Sequence, residues 1–120
     1  MRTHHEEHIA TTSRLHDFVD ITDDIQMILT GSGISGGQVT VLVRDNSCSL
    51  LINEKESGLF DDIKKAMDRL GSPGILVGSR SVVVPASEGK LKLGGWQRVL
   101  LMELGQDPGS RSIVVQIVGE

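Results

Sequence analysis

The sequence is poor in aromatic residues. It has no tyrosine, two phenylalanines (Phe18 and Phe60) and one tryptophan, Trp96. Proteins that grip single-stranded nucleic acids use stacking rings in a cationic groove. The charge balance also argues against that role: 12 Lys and Arg stand against 16 Asp and Glu, a formal net charge of −4, with no basic block. Nucleic-acid binding is therefore not expected. The single cysteine, Cys48, excludes an internal disulfide. No apolar run approaches the ~20 residues of a membrane-spanning helix. The polar start Met1-Arg2-Thr3-His4-His5-Glu6-Glu7-His8 lacks the apolar core of a secretory signal. A cytoplasmic location with no membrane partner is the resulting expectation.

What is present suits one small domain. The chain has 120 residues, 38% of them hydrophobic, and 14 glycines. A chain of this size can bury a core of its own. Residues 1–8 read as a flexible polar tail and 9–120 as a single domain. The β-branched residues between Ile9 and His16 suggest a first strand. Thr22 reads as the N-cap of a helix, with Asp23 and Asp24 favoured by the macrodipole in its first turn and Ile25, Ile28 and Leu29 as its stripe. Gly31 and Gly33 end it. Gln38–Arg44 and Ser49–Asn53 read as strands. Ser57 reads as the cap of a second helix, whose stripe is Phe60, Ile63, Met67 and Leu70 and whose end is Gly71-Ser72-Pro73-Gly74.

After Gly74 the pattern is all strand: Gly78–Pro85, Trp96–Leu104 and Arg111–Val118, the last two joined by Gly105–Ser110 as a hairpin. Two main helices among mostly antiparallel, sandwich-like sheets give an α+β fold. The final two strands are apolar on both faces. Val99 and Leu101 oppose Leu100 and Met102, and Ile113, Val115 and Ile117 oppose Val114 and Val118. Strands that do not alternate need cover on both sides, and two short helices supply only part of it, so the residues point to an oligomer.

Polar residues within this apolar pattern are the candidate site. Glu103 lies inside an apolar strand, where an ionised carboxylate needs a partner, and Arg111 across the expected hairpin is a natural one. Asp45, Glu54 and Glu103 offer oxygen ligands that suit a hard cation such as Mg²⁺, and weakly; the plainer reading of Asp45-Asn46-Ser47 is a solvated turn. Cys48 in its apolar context reads as a buried, inert thiol. His4, His5 and His8 read as an exposed terminus. Gly31-Ser32-Gly33-Ile34-Ser35-Gly36 fits a dinucleotide fingerprint in letters only, since it follows a helix instead of a strand.

Val84-Pro85, Gly89, Leu91, Leu93-Gly94, Trp96-Gln97, Glu103 and Arg111 resemble the block that runs Pro, Gly, Leu, Leu-Gly, Trp-Gln in the YjbQ family. Ile21-Thr22 and Ile52-Asn53-Glu54 match its first half. The resemblance implies the YjbQ-like fold, a ring-like homotrimer and an activity akin to a thiamine-phosphate synthase, with a site of histidines, a glutamate and arginines near a subunit boundary. It also makes Glu54, Glu103 and Arg111 the catalytic candidates. Asp45, Asn46, Ser47, Asn53, Trp96 and Gln97 become the ligand-binding candidates, for a small anionic or phosphorylated ligand.

The departures from the family pattern are specific. Asp45 stands where the family has a histidine, Gly109 replaces the first of two arginines, and the histidine-bearing segment after the second helix is absent. No histidine metal site and no required cofactor are then expected. The resulting expectation is a non-catalytic or degenerate homotrimeric binding or structural module; the alternative is an enzyme with a reduced carboxylate and arginine site.

Overall fold

The structure, a computed structural model, describes residues 1–70 and 78–120. In chain order the elements are β1 (Arg2–Thr11), β2 (Phe18–Asp20), α1 (Thr22–Ser32), β3 (Gly37–Val43), β4 (Cys48–Glu54), α2 (Ser57–Leu70), β5 (Ser81–Ser87), β6 (Lys90–Leu91), β7 (Gln97–Glu103) and β8 (Ser110–Gly119). The strands form a five-stranded sheet, β1-β8-β3-β5-β6, and a three-stranded sheet, β2-β7-β4. All neighbouring strands are antiparallel. The α+β class read from the sequence is the observed one.

Period-two patterning builds the core. Val39, Val41 and Val43 of β3 and Ile113, Val115 and Ile117 of β8 point inward and are buried. From the smaller sheet Cys48, Leu50, Val99 and Leu101 meet them, and Ile25, Ile28 and Leu29 of α1 complete the cluster. The opposite face of β7 is also buried, through Leu100 and Met102. Phe18 pairs in register with Met102, and its ring stacks on Phe60 of α2 at 4.1 Å between centroids. Helix α2 thus lies on the side of Met102, with its own Met67 buried.

Several local expectations are corrected. Residues 1–8 are not a loose tail: from Arg2 onward they pair with β8 along the whole of β1. Their polar character reflects an edge strand with one solvated face. The α1 N-cap is Ile21; Thr22 is the first helical residue, and its hydroxyl accepts from the Val99 amide at 2.7 Å. The Asp20 carboxylate takes the Thr22 amide instead, at 3.0 Å. At α2 the capping oxygens belong to Glu56, which accepts from the amides of Gly58 and Leu59 at 2.8 and 2.7 Å. The helix end expected at Gly71–Gly74 lies outside the described residues.

The largest correction concerns the last two strands. Strands β7 and β8 are not a hairpin; they belong to different sheets. The chain leaves one layer of the sandwich at Glu103 and enters the other at Ser110. Double-sided apolar character in β7 is explained within the chain, by the core on one face and α2 on the other. Strand β8 alternates: Ile113, Val115 and Ile117 are buried, while Gln116 is exposed and Val114 and Val118 are partly covered.

Candidate functional site

The chain crosses between the two sheets three times at one end of the sandwich: after β1, between β3 and β4, and between β7 and β8. Each crossing brings polar residues to that end. Glu103, the last residue of β7, sits opposite Cys48, the first of β4, and is fully buried. Arg111 enters from the start of β8, Thr12 from the end of β1, and Asp45 and Ser47 from the β3–β4 turn.

These side chains close on one another. Glu103 Oε1 accepts from Thr12 Oγ1 at 2.6 Å and from Arg111 Nε at 2.8 Å, with Arg111 Nη2 also at 2.7 Å. Glu103 Oε2 accepts from the Gly105 amide at 3.1 Å and Cys48 Sγ at 3.5 Å, and Ser47 Oγ stands 3.2 Å from it. Arg111 Nη1 donates to Asp45 Oδ2 at 2.7 Å, and Nη2 to the Asp107 carbonyl at 2.6 Å. Asp45 Oδ1 accepts from the Ser47 amide at 2.8 Å and its hydroxyl at 2.7 Å. The Ser47 hydroxyl has one proton, and the shorter contact to Asp45 takes it.

The electrostatics follow from this geometry. Burial alone pushes the Glu103 carboxyl up. The hydrogen bonds from Thr12, Arg111 and the Gly105 amide, with the Arg111 charge, outweigh it and hold the group below the ordinary carboxylate value. Asp45 is lowered by the Ser47 hydroxyl and amide against a smaller burial effect, with Arg111 helping. Arg111 is raised: burial opposes its charge, and the Glu103 carboxylate overcomes this. Burial pushes the Cys48 thiol up, the Ser47 hydrogen bond opposes, and the Glu103 charge adds, to about 11. At neutral pH Cys48 is therefore a thiol and a poor nucleophile.

Of the residues singled out in the sequence, Asp45, Ser47, Glu103 and Arg111 converge here. Asn46 is beside them but exposed, with its carbonyl accepting from Arg80 Nη2 at 2.8 Å. The others lie at the opposite end of the β4–β7 ladder, about 20 Å away by strand rise. There Asn53 pairs with Arg98 and Glu54 with Gln97. Asn53 Oδ1 accepts the Glu54 amide at 2.9 Å, Gln97 Oε1 accepts the Gly94 amide at 2.8 Å, and Trp96 is 81% exposed.

Sequence reasoning missed Thr12. Thr11 and Thr12 are identical in type, and only strand direction buries the second. It also missed an ion cluster near the Trp96 end. Arg98 Nε donates to Asp20 Oδ2 at 2.8 Å, Arg98 Nη2 donates to Asp23 Oδ1 at 3.1 Å, and Lys55 Nζ lies 3.8 Å from Asp20 Oδ2. An aspartate two residues before a helical amide was the available signal for Asp20. Among the described residues no group of three or more His, Cys, Asp or Glu side chains converges as a metal site. Asp45 and Glu103 instead both turn to Arg111. Among those residues, too, no helix is long and apolar enough to cross a membrane.

The comparisons with known proteins agree with this architecture. A UPF0047 protein of Archaeoglobus fulgidus is 32% identical, covering 88% of this chain and 94% of its own. One of Methanothermobacter thermautotrophicus is 30% identical over 138 aligned positions that take in all of this chain and 95% of its own. A YbjQ-like protein of unknown function from Sulfolobus solfataricus P2 superposes with a TM-score of 0.91 at 29% identity, covering 99% of both chains. The hypothetical protein APE1520 of Aeropyrum pernix K1 gives 0.88 at 26% identity, with full coverage of both. The family model described as UPF0047 protein YjbQ-like matches residues 6–74 and 74–120, two pieces that meet at Gly74, and the chain belongs to that family.

Proposed function

We propose that this chain is a non-catalytic member of the family and works as a homotrimeric binding or structural module. The observation that carries the reading is the internal pairing of the Glu103–Arg111 cluster. Both Glu103 oxygens and all three Arg111 nitrogens already have partners within the chain. A general base or an anion-binding arginine needs a free lone pair or a free N–H aimed at substrate. A phosphate seeking Arg111 competes with Asp45 and Glu103 for it, and a Mg²⁺ ion seeking those carboxylates competes with Arg111. The neighbouring thiol is protonated. A charge network of this kind, centred on the buried Glu103, acts as a fixed tie between the two sheets.

The trimer draws support from the outer face of the five-stranded sheet. Ile9, Leu42 and Val83 on that face are exposed at 53%, 40% and 54%, beside the partly covered Val114 and Val118. Apolar side chains grouped on a solvated sheet face are characteristic of an interface. A ring of three copies needs one such heterologous contact repeated around an axis.

Two measurements test the proposal. Purified protein incubated with thiamine-pathway substrates, with and without divalent metals, is expected to give no turnover above buffer. Turnover that disappears with Glu54→Ala or Arg111→Lys overturns the non-catalytic reading in favour of an enzyme with a reduced site. Light scattering is expected to give a trimer mass, and Leu42→Asp with Val83→Asp to give a folded monomer. A monomer mass for the unaltered chain removes the trimer.

A further inference from the structure

Away from the Glu103 cluster, the inner face of β1 and the side of α1 enclose a groove of about 370 Å³. His4, Glu6 and His8 alternate along β1 and so share one face. Asp24, Met27, Ile28 and Gly31 of α1 face them across the groove. The polar groups sit in two stations. His4 Nε2 donates to Glu6 Oε1 at 3.3 Å, and His8 Nε2 stands 3.2 Å from Asp24 Oδ2. His4 and His8 are four strand steps apart, about 13 Å. Ile28 is buried on α1, and Met27, 72% exposed, stands beside it. Arg2, at the start of β1, is engaged elsewhere, donating to the carbonyls of Ser32 and Gly33 at 3.0 and 3.1 Å.

This arrangement selects by shape and charge. Each station has two donors, too few to hold a metal ion by itself. The carboxylates attract cations, and a neutral imidazole beside each one has a ring nitrogen to accept an N–H. On the α1 side the wall is apolar, through Met27 and Ile28, and suits methylene groups, which pack on such surfaces while their charged ends stay hydrated. From this juxtaposition we infer that the β1–α1 groove binds an extended aliphatic polyamine. Its ammonium groups sit at His4–Glu6 and His8–Asp24, and its methylenes lie along Met27 and Ile28. The inference is independent of the proposal for the Glu103 cluster, which lies at the crossing loops.

Asp23, next to Asp24 on α1, is turned to Arg98 at 3.1 Å. Glu7, on the outer face of β1, is turned to Arg44 (3.9 Å) and Ser112 (2.7 Å).

Isothermal titration of the full chain with spermidine tests the inference. Saturable single-site binding is expected. Glu6→Gln with Asp24→Asn is expected to weaken it by about tenfold or more. Asp61→Asn with Asp62→Asn, the same change of net charge on α2, is expected to leave it unchanged. Circular dichroism confirms that each variant folds. Butylamine, with one charge, is expected to bind far more weakly than spermidine. Absence of saturable spermidine binding overturns the inference, as does equal weakening by the α2 pair, which means diffuse attraction to an acidic protein. Zinc chloride alone binding at the groove more tightly than spermidine overturns it in favour of a metal site.

Discussion

The two ends of the β4–β7 ladder carry similar residue types and have opposite fates. At one end Glu103 is fully buried and tied to Thr12, Gly105 and Arg111. At the other, Glu54, Gln97 and Trp96 are exposed, and among the described residues the side-chain hydrogen bonds of Asn53 and Gln97 reach near neighbours in the chain. Three chain crossings cover the first end. The second holds the turn before β7, which leaves its side chains in water. A carboxylate is therefore part of the framework at one end and a surface group at the other. The same substitution should have very different consequences at the two ends.

The largest expected effect is at the closed end. Arg111→Met strands the Glu103 charge in the interior and is expected to cost about 3–5 kcal/mol. Urea unfolding followed by circular dichroism measures it. Adding Glu103→Leu to that variant is expected to restore much of the loss, because an apolar pair replaces the ion pair. If the double variant is no more stable than the single one, the cluster is not a self-contained ion network.

Acid sharpens the comparison. The native Glu103 carboxyl lies below its ordinary value of 4.5, so its contribution to stability is fully present above that pH. It is lost as the pH falls through the lower native value. Asp45 and Asp20, both lowered, act in the same direction. Stability of the unaltered chain is thus expected to fall more steeply below about pH 4.5 than that of Glu103→Gln. Parallel acid limbs for the two proteins would remove Glu103 from the account.

Cys48 reports on whether the closed end opens. With its thiol pushed up to about 11 and no exposed surface, it is expected to react with a disulfide reagent at neutral pH only as fast as the protein opens. Rapid stoichiometric labelling of the native chain contradicts the closed geometry.

The smallest effects belong to the open end and to one orphaned hydroxyl. Glu54→Ala is expected to change stability by less than about 0.5 kcal/mol. Ser49 Oγ is buried with no hydrogen-bond partner among the described residues. Ser49→Ala is accordingly expected to be neutral or to stabilise, by up to about 1 kcal/mol. A clear loss of stability in thermal unfolding would show that the hydroxyl has a partner after all.

Much of this was legible in particular residues. The alternation of Val39, Val41 and Val43 determined a half-buried strand, because only a period of two puts three branched side chains on one face. Ile25, Ile28 and Leu29 determined α1, and Gly33, at φ 73°, ended it in the left-handed region that glycine adopts freely. Glu103 inside an apolar run required a cationic partner, and Arg111 was found as that partner although the expected hairpin between them does not exist. An ion pair is demanded by burial, whatever path joins its members. The apolar run in β7 gave no sign of which layer covers each face.

The sequence by itself determined the strands β3, β4, β5, β7 and β8, the two helices, the identity of the paired charges and membership of the family, since these rest on local periodicity, burial of ionised groups and a specific residue pattern. Only the tertiary structure decided that β7 and β8 belong to different sheets, that Thr12 instead of Thr11 is enclosed, and that Trp96 stands in water. It also decided that His4, Glu6 and His8 share a groove with α1. Each of these depends on which segments cross between layers. Crossing is governed by the packing of distant surfaces, which no short window of sequence contains.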